Sequence, residues 1–476
     1  MRTNRFFPII IFIFLFISSF VFPQDKKTTK DEIDALLKNK FFKTSQIAID
    51  IYDLTDKKSI YKKNNTMLLH PASNMKIITT STALYFLSPE YQFTTSIYYD
   101  GEIIDSICTG NIYIVGTGDP DFTIKDLDLI IENIKKFGIK EIQGNLYGDI
   151  SNFDSLFWGQ GWMWDDDPST DFPYITPLII NDAAIEVFCS PSSVDSLVIV
   201  QVNPQTDYFK IFNNTRTTNN KNQKLNITRD WLDRSDDIYI TGELDVNRES
   251  QYSKFNLSNP AKFFMYLMYE RLTLNDVKLN GSIGFSITPC YANLFYTLAR
   301  PYKEVIVNLN KTSDNLSAEI TLRAMGLKFY GKPTSAKDGL KLVDSLITII
   351  GLDPSDYRLV DGSGVSHYNL VTAELLTKIL IFFYNNYKSL YGILYESFPI
   401  AGIDGTLKTR MKGTEAENNV HAKTGTLSGV SCLSGYLTAA NDHQIAFSIL
   451  IQNFVGSSTT ARNIQDEICR ILCKMK

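Results

Sequence analysis

The stretch from His70 to Leu84, HPASNMKIITTSTAL, places a serine and a lysine three residues apart where a helix begins. Positions i and i+3 share one face of a helix, so Ser73 and Lys76 can touch. A serine hydroxyl is a weak nucleophile until a base removes its proton. Lysine is that base only when burial or a second cation lowers its pKa from about 10.4. Alone the pair says little, since Ser-x-x-Lys arises by chance in long chains as a helix-start serine beside a surface lysine. Two further triplets change its weight. Ser313-Asp314-Asn315 precedes the helical LSAEITLRAMG, and Lys423-Thr424-Gly425 opens an apolar stretch before a hairpin.

In this chain order the three motifs resemble the set found in class A β-lactamases and penicillin-binding proteins. Their chemistry is coherent. Lys423 sets a second cation near Lys76, and like charges lower each other's pKa. Ser313 can relay a proton to or from a leaving group, and Asn315 can hold a substrate amide. A strand through Lys423, Thr424, Gly425 and Thr426 can pair with an extended peptide. Gly425 allows close approach to that strand, and the backbone N–H groups of Ser73 and Thr426 are the expected oxyanion donors.

Further features narrow the resemblance to the D-alanyl-D-alanine carboxypeptidase/endopeptidase family, the class C low-molecular-mass penicillin-binding proteins of peptidase family S13. Ser73 and Ser313 lie 240 residues apart, far more than a simple β-lactamase domain needs. VDGSGVSHYNLVT resembles the family's Asp-Gly-Ser-Gly stretch, AGIDGTLKTRMKGT its Gly-x-Asp-Gly-Thr-Leu stretch, and GTGDPDF a Gly-Gly-Asp-Pro stretch early in the insertion. The resemblance implies an α+β fold: a transpeptidase-like domain, an antiparallel sheet flanked by helices, interrupted by a strand-rich insert. It implies a Ser73 acyl-enzyme acting on D-Ala-D-Ala ends or D-centred cross-links of peptidoglycan muropeptides, with β-lactams as mimics and no metal or cofactor. In relatives an arginine often follows Gly-Ser-Gly-x-Ser and binds a substrate carboxylate. Here His367 stands there, and it is expected to line the pocket as a weaker partner. Asp149 and Phe153 of GDISNFD are expected to meet the substrate's amine and methylenes.

Two rivals stay open. A serine β-lactamase of class A needs a glutamate after Ser-Asp-Asn, and the nearest look-alike, Glu270 in ERLTLN, comes before it. A catalytically silent penicillin-binding sensor or wall-binding protein would not need Ser73, Lys76, Ser313, Asn315 and Lys423 together. Ser363 in GSG lacks the Gly-x-Ser-x-Gly of a nucleophile elbow and is expected in a tight loop lining the site. With a lysine base, none of His70, His367, His421 and His443 is required.

The elements that must position these residues come from both ends of the chain. SQIAIDIYDLTDKKSIYKKNN reads as strand, turn, strand. GYLTAANDHQIAFSILIQNF reads as a second hairpin, Gly435–Ala439 with Ile445–Gln452, before a last helix from about Thr459 to Met475. SAKDGLKLVDSLITIIG and TAELLTKILIFFYNNY carry helical patterns, the first with Ser335 and Asp338 placed as a capping box. The middle is rich in short strands, interrupted by the helical NPAKFFMYLMYERL. The expected division is a leader over 1–23, a transpeptidase-like domain over 24–92 and 295–476, and an insert over 93–294.

With 44% hydrophobic and 21% charged residues over 476 positions, the composition is globular. A net charge of −5 without a basic block argues against nucleic acid. MRTNR, the apolar FFPIIIFIFLFISSFVF and the polar PQDKKTTKDE have the layout of an export signal, so an exported, periplasmic or cell-envelope protein is expected. Loose membrane association and self-association stay open. Six scattered cysteines without a CxxC, and four histidines, do not suggest zinc. Cys469 and Cys473, four apart on one helix, are too distant for a disulfide.

Overall fold

The computed structural model describes residues 28–476; the expected leader and its cleavage point near Gln24 lie outside the described residues. One five-stranded antiparallel sheet carries the third motif. Its order is His421–Leu427, Val430–Thr438, Gln444–Gln452, Gln46–Asp53, Lys58–Lys63. The chain's two ends meet where Gln46–Asp53 pairs along its length with Gln444–Gln452.

Side chains alternate across a strand, and both faces of this sheet are covered. Ile47, Ile49 and Ile51 enter a core closed by helices Thr29–Leu36 and Thr459–Cys473. Ala48, Ala446 and Leu450 enter a larger core on the other face. There, helices Met75–Phe86, Asn315–Tyr330, Ala336–Ile349 and Ala373–Asn386 pack together. Burial on both faces explains why Gln444–Gln452 is almost uniformly apolar rather than alternating. Ser335 and Asp338 form the expected reciprocal cap on Ala336–Ile349. All six cysteines, including Cys469 and Cys473, are free thiols. Among the described residues no helix is long and apolar enough to cross a membrane.

The insert has its own core. Its main sheet runs Ile283–Phe285, Leu146–Asp149, Ile112–Gly116, Gln92–Tyr99, Asn293–Pro301. The chain leaves the catalytic half on Gln92–Tyr99 and returns on Asn293–Pro301, its antiparallel neighbour. Residues 295–301, assigned to the second catalytic segment from sequence, thus complete a strand of the insert's sheet, because strand pairing with Gln92–Tyr99 continues to Pro301. At this seam Arg300 Nε donates to both carboxylate oxygens of Asp119 at 3.0 Å. Asn308 Nδ2 donates to Asp121 Oδ1 at 2.7 Å. These bonds from GTGDPDF fix helix Tyr302–Lys311, which leads directly into Ser313.

Candidate active site

Ser73 sits in the single turn Ala72–Asn74 that feeds helix Met75–Phe86. The cap position belongs to Asn74, so Ser73 is not the helix-capping serine that its sequence context also allowed. Its hydroxyl instead meets Lys76 Nζ at 3.2 Å. Ala72 holds a left-handed φ of 46°, a strained conformation for a residue with a Cβ and one that clusters at functional sites. The Asp-Gly-Ser-Gly loop supports this turn. A Cβ on Gly364 would fall 1.9 Å from the carbonyl oxygen of Ala72, and Gly364 has a φ of 88°. The loop is itself closed by Asp361, which accepts from the Gly364 and Ser366 amides, Asn369 Nδ2 and Trp162 Nε1. Glu319 Oε1 accepts from the amides of Gly362 and Ser363.

Lys76 is completely buried. Besides Ser73 it donates to Asn315 Oδ1 at 2.5 Å and to the Ser363 carbonyl at 2.8 Å. Asn315 Nδ2 donates to the Asp171 carbonyl at 2.6 Å, which orients the amide with its oxygen toward the lysine. Both partners can only accept, so they occupy two amine hydrogens. The remaining position faces Ser73 Oγ and holds a proton in the ammonium or a lone pair in the free amine. Burial lowers the Lys76 pKa to about 8, against the upward pull of the Asp314, Asp361, Glu319 and Asp171 carboxylates. Burial also pushes Lys423 well below its ordinary value, and the neighbouring Lys76 adds to that. Desolvation is the leading cause for both amines, and the two neighbouring cations disfavour each other's charged form, as expected.

Lys423 Nζ donates to Ser313 Oγ at 2.8 Å and to the Thr424 carbonyl at 3.0 Å. Ser313, with a φ of 67°, is a second left-handed residue at the site. Asp314 caps helix Asn315–Tyr330, accepting from the Ser317 amide at 2.6 Å. Strand His421–Leu427 is the sheet's edge; Pro399–Ile400 covers its start, where the Ala422 amide donates to the Pro399 carbonyl at 3.0 Å, and an added extended segment can use the outer N–H and C=O groups beyond it. A Cβ on Gly425 would lie 2.8 Å from the Pro71 oxygen and 3.0 Å from the Ser73 nitrogen. Any side chain there would wedge the strand away from the nucleophile.

These groups surround one cavity of about 290 Å³. Ser73, Ser313, Asn315, Thr424 and Thr426 line it, with Lys76 and Lys423 bonded behind Ser73 and Ser313. His367, Asp149 and Phe153 do not line it. Closure of the 361–369 loop on Asp361 turns Val365 toward the cavity. The His367 ring instead meets His70 edge-on at 5.5 Å. Asp149 is 2% exposed and accepts from the Ser151 and Thr288 amides, so its carboxylate holds a turn. Phe153 is buried where the insert meets the catalytic half, against Arg323 and beside Gly118. Ser363 acts through its carbonyl, not its hydroxyl. His421 stacks on Tyr395 at 3.9 Å, a packing role.

Sequence reasoning missed Arg410 and Arg462, which also line the cavity. Arg410 is held by Asp466 Oδ1 and Gln465, while Arg462 Nη2 lies 3.4 Å from Thr426 Oγ1. Arg410 belongs to the AGIDGTLKTRMKGT stretch, a signal that was available; Arg462 lies on the last helix, where no motif marked it.

The Ser–Lys pair, the second Ser–Lys pair and the open strand edge, set between a five-stranded sheet and its helices, define a penicillin-recognising serine enzyme. The chain matches the D-Ala-D-Ala carboxypeptidase 3 (S13) family over residues 29–475 and belongs to it. It is 28% identical over 460 residues to a D-alanyl-D-alanine carboxypeptidase of Actinomadura sp. strain R39, covering 92% of this chain and 83% of that one. It is 29% identical over 400 residues to D-alanyl-D-alanine carboxypeptidase DacB of Haemophilus influenzae, covering 82% of each. The crystal structure of penicillin binding protein 4 (dacB) from Haemophilus influenzae superposes with a TM-score of 0.82 at 25% identity, covering 93% of this chain and 99% of that one. The peptidoglycan endopeptidase Bd3459 of Bdellovibrio bacteriovorus shares the fold, with a TM-score of 0.52 at 15% identity over 90% of this chain and 92% of that one.

Proposed function

We propose that the chain is a serine-type D-Ala-D-Ala carboxypeptidase and DD-endopeptidase that acts on peptidoglycan stem peptides through an acyl-enzyme on Ser73. The observation that carries this reading is the Lys76 amine. Two obligate acceptors hold it, and its one remaining position faces the Ser73 hydroxyl. The neutral amine takes the Ser73 proton, and Oγ attacks the carbonyl between the last two D-alanines or at a D-centred cross-link. The Ser73 and Thr426 amides receive the developing oxyanion. Ser313 passes a proton to the leaving amine, so D-alanine or the second peptide departs. Water then cleaves the ester and frees Ser73. Lys423, Thr424, Arg410 and Arg462 give the cavity a cationic and hydroxyl-bearing side that suits a terminal carboxylate.

A β-lactam would acylate Ser73 by the same route. Penicillin binding protein 4 of Haemophilus influenzae, a fold relative, has been solved with a β-lactam bound. The β-lactamase rival loses ground because no glutamate is among the described residues that line the cavity, and Glu270 accepts instead from the Asp207 amide. In the same reading residues 1–23 export the protein to the periplasm or cell envelope. Among the described residues, the segments before Gln92 and after Pro301 form the catalytic unit around the insert, with the strands Gln92–Tyr99 and Asn293–Pro301 as its seam. The test is a labelled penicillin followed by peptide mapping, together with mass analysis of muropeptides for released D-alanine and split dimers. One adduct, on the peptide that contains Ser73 and absent in Ser73→Ala, is expected. An adduct elsewhere, or unchanged labelling in that variant, would overturn the assignment.

A further inference from the structure

A second cavity, of about 150 Å³, lies behind one wall of the first. Phe172 lines the catalytic cavity and Trp158 the second one. Their rings are near-parallel, with centroids 6.4 Å apart. The second cavity is lined by Phe157, Trp158, Trp164, Tyr174, Trp231 and Arg234, among others. Trp164 and Trp231 stack at 5.5 Å and 24°, yet Trp164 remains 72% exposed. Leaving so large an apolar ring in water is unfavourable, and exposed aromatic clusters mark binding surfaces.

The pair is not a chance of two loose loops. Arg229, fully buried, forms an ion pair with Asp167 and donates to Asn256. That bond ties the Trp164 loop to the strand Leu225–Arg229, and the turn bearing Trp231 follows at once. Phe157, Trp158 and Tyr174 pack on one another beneath, at 5.4 and 4.8 Å. The indoles are therefore held in place before any ligand arrives, which reduces the ordering entropy that binding must overcome.

The occupant can be argued from size and charge. A protein partner needs a surface of roughly 1,000 Å², whereas this cavity suits a single ring. An anionic lipid surface would need a basic rim; here Asp165, Asp166, Asp230, Asp233 and Asp236 flank the tryptophans in sequence. A pyranose has an apolar C–H face for the indoles and a polar edge for Arg234. We propose that this cavity is a saccharide subsite that takes one N-acetylhexosamine of the glycan strand while the attached stem peptide occupies the catalytic cavity. The proposal rests on the peptidoglycan reading above.

The test uses the full chain with chitotetraose as probe and tryptophan fluorescence as readout. Kinetics on a free pentapeptide and on the same peptide joined to its disaccharide run in parallel. Saturable quenching is expected, lost in Trp164→Ala and Trp231→Ala and largely kept in Trp164→Phe. Wild type should favour the sugar-linked peptide in kcat/KM by about tenfold, the size of one aromatic stacking contact. The alanine variants should bring that ratio near one and leave the free peptide unaffected. No quenching together with equal kcat/KM in wild type, or a ratio unmoved by either alanine variant, would overturn the proposal. A variant that changes sedimentation or vesicle flotation and leaves the ratio alone would reassign the surface to self-association or membrane. Quenching needs no turnover, so this subsite and the proposed catalysis can fail separately.

Discussion

Replacing Gly364 with alanine tests how the nucleophile turn is held. Two costs are readable. The first is conformational: at a φ of 88°, an L-residue costs about 1–2 kcal/mol. The second is steric. The new Cβ would stand 1.9 Å from the Ala72 carbonyl oxygen and 2.7 Å from Met75 Cβ. Relief from that overlap needs a shift of roughly 1 Å in either the Ala72–Ser73 turn or the 362–364 loop. Either movement separates groups that must meet, since Ser363 O holds Lys76 at 2.8 Å and Lys76 in turn meets Ser73 at 3.2 Å. A misplacement of about 1 Å costs roughly a hundredfold in rate. Gly351 is the matched control, with a φ of 80° and nothing within 4 Å of an added Cβ. Gly351→Ala should lose stability by the same conformational amount of about 1–2 kcal/mol with unchanged acylation. Gly364→Ala should also lose about a hundredfold in acylation by a fluorescent penicillin. The assay is stopped-flow acylation with thermal unfolding in parallel. Acylation of Gly364→Ala within threefold of wild type would refute the argument that this glycine sets the nucleophile.

Lys76 titrates near 8, so acylation should climb with pH and reach its midpoint there. Lys76→Arg, which stays protonated, should fall by about a thousandfold. Lys423→Arg should retain more, and equal loss in both would contradict the division of roles. Asp50 is 3% exposed with Oδ1 unpartnered, and burial raises its pKa to about 6. The folded carboxyl therefore holds its proton more tightly than the unfolded one, titrating near 3.8, and stability falls as pH rises through that window. Asp50→Asn should match wild type below about pH 3 and exceed it by about 3 kcal/mol at pH 7; a thermal shift independent of pH would sink this account.

The parts whose logic is local were legible in the chain. Spacing of three residues on a helix is enough to put Lys76 against Ser73. Helical and strand periods mark Ala336–Ile349 with its Ser335 cap and the terminal hairpins, and the order of the three motifs points to the family. The rest depends on burial and on contacts across hundreds of residues. The pKa of Lys76 is lowered first by desolvation, which no spacing records. Ser363 is 287 residues from the amine it holds. His367 carries the family's position but not its place, because the hydrogen bonds of Asp361 turn its loop. Asp149 and Phe153 were drawn by local motif toward a substrate, and packing uses them to brace the insert. Arg462 and the Trp164–Trp231 pair carry no pattern in the chain. They become legible only when the fold brings the last helix to the cavity and joins two distant loops through one buried Arg229–Asp167 pair.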